Sequence, residues 1–162
     1  MGITILVSNM KNVKILVDGA NIAFFIKNER KKAQLYTLEI LIEYLEDIKN
    51  LHKMDYQIVA DASLKYRIDD KSRLEDYYNC GKIIECPKGV KADDFIIEYA
   101  ARYPDSTIII SNDCFKEYNT SDLRILKFGL IFNDVMLKPD LYELICESDL
   151  IELKMGDVIE SI

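Results

Sequence analysis

The sequence predicts a mixed α/β fold, a three-layer α/β/α sandwich built around a largely parallel sheet. Short apolar runs, the first at residues 13–17, alternate along the chain with longer segments of helical periodicity. Turn-forming residues close these segments, so strands and crossover helices follow one another in the order that parallel sheets require. The 162 residues are 49% hydrophobic. We therefore predict one domain over residues 1–162, with its core at about 13–132.

The first predicted elements are two strands with a long helix between them. Residues 13–17 predict a buried strand, and residues 56–60 predict the next strand. Residues 35–51 place five apolar side chains on one helical stripe: Leu38, Leu41, Ile42, Leu45 and Ile48. This segment is therefore predicted to be an amphipathic helix that packs on the sheet.

The rest of the chain continues the alternation of helices and strands. It predicts a helix at 70–80, a strand at 82–86, a helix at 93–102, a strand at 107–111, a short helix at 113–118 and a strand at 125–132. Gly81, Pro87 and Pro104 mark three of the ends, because glycine often ends helices and proline continues neither element well.

The two ends of the chain carry no chemistry in the sequence. Residues 3–7 are apolar enough for an extra edge strand, although Met10 is an alternative start of the domain. Residues 150–162 alternate weakly around Gly156 and Asp157, which suits a hairpin or a partner surface. The roles of residues 1–12 and 141–162 stay open.

Composition predicts a cytoplasmic protein. No apolar stretch reaches the roughly 20 residues that a membrane-spanning helix needs, and we identify no signal peptide. The four cysteines form no Cys-x-x-Cys pair and have no histidine at zinc-ligand spacing, so we expect reduced thiols: Cys80, Cys86, Cys114 and Cys146. The net charge is −7, so a polyanion must be met by a local basic patch or through bound cations.

Four acidic residues stand where an apolar run stops or a helix begins. Asp18, Asp61 and Asp113 follow predicted strands, and Asp93 opens a predicted helix. Because the carboxyl ends of parallel strands lie at one edge of a sheet, we expect these carboxylates to converge there. Converging carboxylates without a basic partner nearby in the sequence are typical of a site for a hard divalent cation.

Each of these acids also has a purely structural explanation. Asp18, in Asp-Gly-x-Asn, can belong to a turn and helix cap, although we favour a functional role. Asp93 opens a helix, where acids offset the positive end of the helix dipole. Asp61 can bind backbone donors of its own loop, and Asp113 can be a cap with Glu117 as a surface acid one turn later. The functional interpretation therefore depends on several acids meeting at one edge.

Two groups of basic residues follow the first two acidic turns. Four lie within six residues: Lys27, Arg30, Lys31 and Lys32. Lys65 and Arg67 follow Asp61, and Lys91 precedes Asp93. Solvated charges on loops and helix faces explain these groups as well, and spacing alone favours that explanation.

Three segments carry a family resemblance. They are Asp18-Gly19-Ala20-Asn21, residues 92–97 (Ala-Asp-Asp-Phe-Ile-Ile) and residues 111–117 (Ser-Asn-Asp-Cys-Phe-Lys-Glu). In this order and at these distances they resemble the NYN domain, the PIN-like nuclease branch that includes the Regnase-type ribonucleases. The resemblance runs from about residue 13 to about residue 132, and the ordered set is more specific than any single motif.

The resemblance implies a PIN-like fold and a role for each matching residue. Three acids match the metal ligands of the family: Asp18, Asp93 and Asp113. Asn21 and Glu117 match positions that support them in catalysis. We further predict supporting roles around the ligands for Asp94, Asp61, Asn112 and Ser111. Asp94 falls at a more variable position of the family, and relatives need not have an acid that matches Asp61. The chain has no zinc-finger set of Cys and His residues, so the transcript specificity of the Regnase type does not transfer.

The predicted function is that of a metal-dependent endoribonuclease. An acidic cluster that binds Mg²⁺ or Mn²⁺ would catalyse the hydrolysis of phosphodiester bonds in single-stranded or loop RNA. The RNA would be bound by seven basic residues: Lys27, Arg30, Lys31, Lys32, Lys65, Arg67 and Lys91. His52 has no acid or base partner evident in the sequence, which argues against metal-free histidine catalysis.

Two alternatives remain. One is a catalytically silent RNA- or protein-binding module of the same fold. The other is a metal-dependent phosphohydrolase of another doubly wound family, such as a haloacid-dehalogenase-like enzyme, although Asp18-Gly19-Ala20 lacks the Asp-x-Asp of that family. A homodimer through an edge strand or the carboxyl-terminal segment is possible from the sequence. The sequence does not decide whether RNA or DNA is preferred, whether cleavage is internal or from an end, or whether one or two metal ions bind.

Overall fold

The computed structural model describes residues 12–26 and 31–145, which form a six-stranded sheet flanked by helices. The strands are β1 (Val13–Asp18), β2 (Met54–Ala60), β3 (Ile83–Glu85), β4 (Thr107–Ile110), β5 (Arg124–Ile131) and β6 (Asp134–Lys138). Their order across the sheet is β3-β2-β1-β4-β5-β6. The pairs from β3 to β5 are parallel, and β6 is antiparallel to β5. The predicted α/β/α sandwich around a largely parallel sheet is confirmed.

Four helices connect the strands. They are α1 (Gly19–Ala23), α2 (Leu35–Leu51), α3 (Lys71–Asn79) and α4 (Ala92–Arg102). A 3₁₀ turn, Leu64–Tyr66, follows β2, and residues 141–145 are helical as well. The three longer predicted helices are confirmed to within one residue at each end, and the predicted strands to within two.

The central strand β1 is covered on both faces. Ile15 and Val17 pack with Leu38 of α2 on one side of the sheet. Leu16 packs with Ile96 of α4 on the other side. A strand buried on both faces has a continuous apolar sequence, which explains why residues 13–17 show no polar alternation beyond Lys14. The residue that ends this strand, Asp18, is therefore held at the centre of the sheet.

The chain leaves β1 through Gly19, the first residue of α1, where a side chain would be crowded against β2. A Cβ atom on Gly19 would lie 3.0 Å from both Ile58 Cγ2 and the Val59 carbonyl oxygen of the neighbouring strand. The chain then forms α1 at once, with Asp18 as the N-cap residue. The close approach of this turn to β2 fixes the position of Asp18 relative to the rest of the sheet edge.

The predicted short helix at 113–118 is wrong. The Asp113 side chain accepts a hydrogen bond from Phe115 N at 3.0 Å, and Phe115 has a left-handed backbone with φ 47°. Such local side-chain bonds compete with helix formation, and a left-handed residue interrupts it. Glu117 therefore does not stand one helical turn after Asp113.

The sequence analysis did not find strand β6. Asp134, Met136 and Lys138 are exposed, and Leu137 alone among its residues is buried, so the strand lacks an apolar run. Leu137, together with Leu141 and Ile145, packs in the main hydrophobic core. The core thus continues beyond residue 132.

Several sequence predictions lie outside the described residues. They are the edge strand at 3–7, the alternative start at Met10, the segment 150–162 and Cys146. Cys80, Cys86 and Cys114 are free thiols. None of the helices in the described ranges is long and apolar enough to cross a membrane.

Candidate metal centre

Three carboxylates meet at the carboxyl edge of the sheet. Asp18, Asp93 and Asp113 each offer an oxygen atom, and these atoms lie within 4.8 Å of one another. Asp18 ends β1, Asp93 lies in the first turn of α4, and Asp113 follows β4. Because Val17 pairs with Ile110 in parallel register, the ends of β1 and β4 open side by side. We call these three residues the acidic triad.

The acidic triad holds more negative charge than its surroundings neutralise. Asp18 is 5% exposed, and burial together with the nearby Asp93 carboxylate raises its pKa to about 7. Burial also raises the pKa of Asp93, and the carboxylates of Asp113 and Asp61 add to the shift. Among the described lysines and arginines, none forms an ion pair with a member of the triad. A divalent cation held by these oxygens would relieve the repulsion, so the residues fit a hard metal ion.

Ser111 connects two members of the acidic triad. Its hydroxyl donates to Asp18 Oδ2 at 3.1 Å and accepts a hydrogen bond from Asp113 N at the same distance. Ser111 is fully buried, so its hydroxyl has a fixed environment. One side chain therefore sets the position of the Asp18 carboxylate relative to the backbone of Asp113.

Two asparagines hold the backbone next to Asp113. Asn112 N donates to Asn21 Oδ1 at 2.8 Å, which connects the loop to α1. The Asn112 side chain forms two hydrogen bonds with the backbone of Phe128, each 2.8 Å long. Nδ2 donates to the Phe128 carbonyl oxygen, and Oδ1 accepts from Phe128 N. Asn21 thus contacts the Asp113 loop through its side chain, and Asp18 Oδ1 through its backbone N–H at 3.5 Å.

Asp61 and Asp94 lie outside the acidic triad. Asp61 Oδ1 accepts a hydrogen bond from Ala92 N at 2.6 Å, so it caps the helix that carries Asp93. The expectation that Asp61 binds donors of its own loop is wrong for this carboxylate oxygen. Asp94 accepts a hydrogen bond from the Tyr118 hydroxyl, and this carboxylate raises the pKa of Tyr118 to about 12.

An open cavity of about 550 Å³ adjoins the triad. Asn21, Asp93 and Asp113 line it together with the exposed Glu117, whose carboxylate is not part of the 4.8 Å cluster. The remaining lining residues are Lys91, Asn112, Cys114, Phe115, Lys116 and Tyr118. The cavity therefore combines carboxylates with two lysines, an arrangement that suits a cation and a phosphate together.

Sequence reasoning missed three residues of this region: Lys116, Tyr118 and Lys127. Lys127 Nζ donates to the carbonyl oxygen of Asp113 at 2.7 Å. The two residues are 14 positions apart, so no local motif connects them. Strand register brings them together, because β5 pairs in parallel with β4 and Lys127 follows the partner of the last β4 residue, Ile110. A single sequence does not show this register.

Of the predicted basic residues, those that the structure describes lie around the same edge of the sheet. Lys27 and Arg30 are outside the described residues, and Lys31 and Lys32 are exposed. The next residue, Ala33, pairs with Ile68, which brings Lys32 and Arg67 into neighbouring segments beyond the end of β2. Arg67 stacks on the ring of Phe24, 4.3 Å from its centroid. Lys65 forms an ion pair with Glu85 at 3.2 Å, and Lys91 lines the cavity of the triad.

His52 is far from this chemistry in the topology. It follows α2 and precedes β2, at the amino edge of the parallel sheet. Its ring packs edge-on against Tyr142, with the centroids 5.4 Å apart. The triad lies at the opposite, carboxyl edge, so His52 does not take part in the site.

The sequence matches a family model over most of the chain. The model is described as "Zc3h12a-like Ribonuclease NYN domain" and matches residues 11–140, which include the whole acidic triad. The chain belongs to this family. The NYN resemblance predicted from the three motifs is thereby confirmed. Nucleases with this domain depend on a metal ion, and the NYN domain of this chain carries an acidic cluster where such an ion would bind.

Two solved structures share the fold of this NYN domain. One is nuclear proteinaceous RNase P 2 from A. thaliana, with a TM-score of 0.59 and 16% identity over 84% of this chain and 32% of that chain. The other, Arabidopsis thaliana nuclear protein-only RNase P 2, gives 0.59 and 15% over 83% of this chain and 31% of that one. The chain thus spans about a third of the length of these proteins. No curated protein sequence matches it significantly.

Proposed function

We propose that this chain is a Mg²⁺- or Mn²⁺-dependent endoribonuclease that hydrolyses phosphodiester bonds in single-stranded or loop RNA. The observation that carries the proposal is the acidic triad, three carboxylates with oxygens within 4.8 Å of one another and no ion pair to a described lysine or arginine. Membership of a ribonuclease NYN family supports RNA as the substrate. The oxygen-only donor set supports Mg²⁺ or Mn²⁺ over softer metals.

The acidic triad and the residues around it have distinct roles in this proposal. Asp18, Asp93 and Asp113 hold the cation through carboxylate oxygens. A bound divalent cation supplies an activated water and neutralises charge that develops on the phosphate. Ser111 keeps Asp18 and Asp113 in a fixed relation, and Asn21 supports the backbone at Asp113 through its contact with Asn112. Glu117 lines the same cavity, and in this proposal its carboxylate would bind a water molecule or a second cation.

Local cations hold the RNA in a protein whose net charge is −7. Lys91 and Lys116 line the cavity of the triad, where the scissile phosphate would lie. Flanking phosphates would then contact Lys31, Lys32, Lys65 and Arg67 at the same edge of the sheet. Lys27 and Arg30, which lie outside the described residues, belong to the same proposed set. Phosphate contacts of this kind hold a strand without reading its sequence.

A circular single-stranded RNA is the sharpest substrate for a test. An endonuclease linearises the circle, whereas an exonuclease finds no end. We expect linear and shorter products with millimolar Mg²⁺ or Mn²⁺, none with EDTA, and little cleavage of a circular DNA of the same sequence. A wild-type protein that binds the circle but leaves it intact with either metal would identify a silent RNA-binding module.

Substitutions assign the cleavage to the triad. Asp18→Asn, Asp93→Asn and Asp113→Asn should each lower the cleavage rate by about 100-fold or more, because each removes a charged metal ligand. Asp47 is an exposed aspartate on α2. Asp47→Asn is therefore the matched control and should cleave like the wild type. A triad variant that keeps near-native turnover would contradict the assignment. Glu117→Gln measures the contribution of the Glu117 carboxylate to the cleavage rate.

A further inference from the structure

We propose that a groove next to the acidic triad is a stacking site for an unpaired base of single-stranded RNA. Tyr66 is the platform for the base, and Lys88 and Lys91 contact the adjoining phosphates. The inference rests on the proposed ribonuclease function, and it adds to that function a subsite for a nucleotide beside the scissile bond.

The groove has the position that a neighbouring nucleotide requires. It has a volume of about 770 Å³ and lies between the loops that leave the carboxyl ends of β2 and β3, at residues 61–66 and 85–91. Lys91 lines both this groove and the cavity of the triad, so the two spaces adjoin. The volume falls within the roughly 300–1,000 Å³ of small-molecule sites, which suits a nucleotide.

Tyr66 has the exposure of a stacking platform. It lies on the 3₁₀ turn after β2 and is 72% exposed, whereas tyrosine side chains are on average partly buried. Lys65 Nζ and Lys71 Nζ lie over the ring, 5.4 and 5.2 Å from its centroid. An exposed aromatic ring with lysines over it suits a single strand, because a base can stack on the ring when the flexible ammonium groups turn to the adjoining phosphates.

The charges of the groove favour a polyanion. Its acids are already engaged, since Glu85 pairs with Lys65 at 3.2 Å and Asp61 caps α4 through Ala92 N. Lys88 and Lys91 are exposed and, within the part of the chain that the structure describes, form no ion pair. These two lysines are therefore available for phosphates, in a chain that is acidic as a whole.

Paired RNA cannot use this site. A base within a duplex is stacked on its neighbours and presents no free face, whereas an unpaired base can turn out and stack on an aromatic side chain. Val90, which is 44% exposed, adds an apolar surface on the β3 loop. The groove therefore provides a physical basis for preferring single strands and loops over duplexes.

Binding of a labelled oligouridine of about ten nucleotides tests the proposal without cleavage. Fluorescence anisotropy in EDTA should show that Tyr66→Ala weakens binding by about tenfold or more, while Tyr66→Phe, which keeps the ring, stays within about twofold. Tyr103 is an exposed tyrosine that follows α4 at the amino edge of the sheet, so Tyr103→Ala is the matched control. Lys88→Ala should reduce the log–log salt slope by about 0.7.

The outcomes separate the groove from the nuclease activity. If Tyr66→Ala binds the oligouridine as tightly as the wild type does, the stacking site is refuted, whatever the circular-RNA assay shows. If Tyr66→Ala loses binding while the wild type fails to cleave circular RNA with Mg²⁺ or Mn²⁺, the groove stands and the endoribonuclease proposal falls. Equal losses for Tyr66→Ala and Tyr66→Phe would also refute stacking, because the phenylalanine ring can stack.

Discussion

Ser111 Oγ donates a hydrogen bond to Asp18 Oδ2 at 3.1 Å, across 93 positions of the sequence. The parallel pairing of β1 with β4 makes this contact possible, because it places the residues that follow Val17 and Ile110 side by side. The same hydroxyl accepts from Asp113 N. A single buried serine thereby holds two members of the acidic triad in position.

Loss of the Ser111 hydroxyl should weaken metal binding more than it weakens the fold. In Ser111→Ala, Asp18 loses its hydrogen-bond donor and Asp113 N its acceptor, so the ligands are no longer held in one geometry. We expect Mn²⁺ affinity to fall by about 10- to 100-fold in titration calorimetry. Ser72→Ala, an exposed serine on α3, is the control and should bind Mn²⁺ like the wild type. Equal affinities for the two variants would show that Ser111 does not position the ligands.

Asp18→Asn should stabilise the metal-free protein in a pH-dependent way. The pKa of Asp18 rises from its usual 3.8 to about 7 in the folded chain. Well below its ordinary pKa of 3.8 the group is protonated in both states and costs nothing. As pH rises from about 3 to about 7 the unfolded chain ionises first, so the free energy of unfolding falls, by on the order of 4 kcal/mol as an upper bound.

Urea denaturation in EDTA at several pH values measures this effect. The variant should match the wild type near pH 3 and exceed it increasingly up to about pH 7, above which the difference stays constant. Comparing the two proteins at each pH removes the contribution of titrating groups that do not interact with Asp18. A difference that does not change with pH would contradict a raised pKa at Asp18.

Divalent metal should raise the melting temperature of the wild type. A ligand at ten times its dissociation constant stabilises the folded state by about 1.4 kcal/mol, which corresponds to roughly 3–6 °C for a chain of this length. Differential scanning calorimetry with and without Mg²⁺ or Mn²⁺ measures the shift. Asp113→Asn should show little shift, and an undiminished shift in that variant would place the metal elsewhere.

The salt dependence of RNA binding should identify the basic residues that contact phosphates. Lys31→Glu combined with Lys32→Glu should weaken binding of a single-stranded RNA and reduce the log–log salt slope by about 0.7 for each lost contact. Turnover at saturating RNA should change much less, since these residues would bind the ground and transition states alike.

A double variant at the opposite edge of the sheet controls for net charge. Lys49→Glu with Lys53→Glu changes the charge by the same amount, at the end of α2 and just before β2. It should leave the salt slope close to that of the wild type. If both double variants lower the slope equally, the effect is one of overall charge, and Lys31 and Lys32 are not specific contacts.

Apolar patterning was sufficient to predict strands β1 to β5 and the long helix α2. The run at residues 13–17 and the stripe from Leu38 to Ile48 each bury their apolar side chains against the core. The convergence of Asp18 and Asp113 followed from parallel strands sharing a carboxyl edge. The structure places both residues in the acidic triad, together with Asp93.

Local competition and long-range contacts explain what sequence reasoning missed. Residues 113–118 have a helical pattern, but the Asp113 side chain bonds Phe115 N instead, and periodicity does not register this competition. Strand β6 has one buried residue, Leu137, and is a strand because β5 offers it an edge. The contact from Lys127 to Asp113 depends on register between strands, which a single sequence does not display.

The Asn112 side chain continues the sheet for one step after the backbone of β4 has turned away. Its amide bonds Phe128 as an additional strand residue would, so the residue beside Asp113 is anchored to the framework and not to the loop that follows. A change in the length or sequence of the loop after Asp113 would therefore leave this anchor of the Asp113 backbone in place.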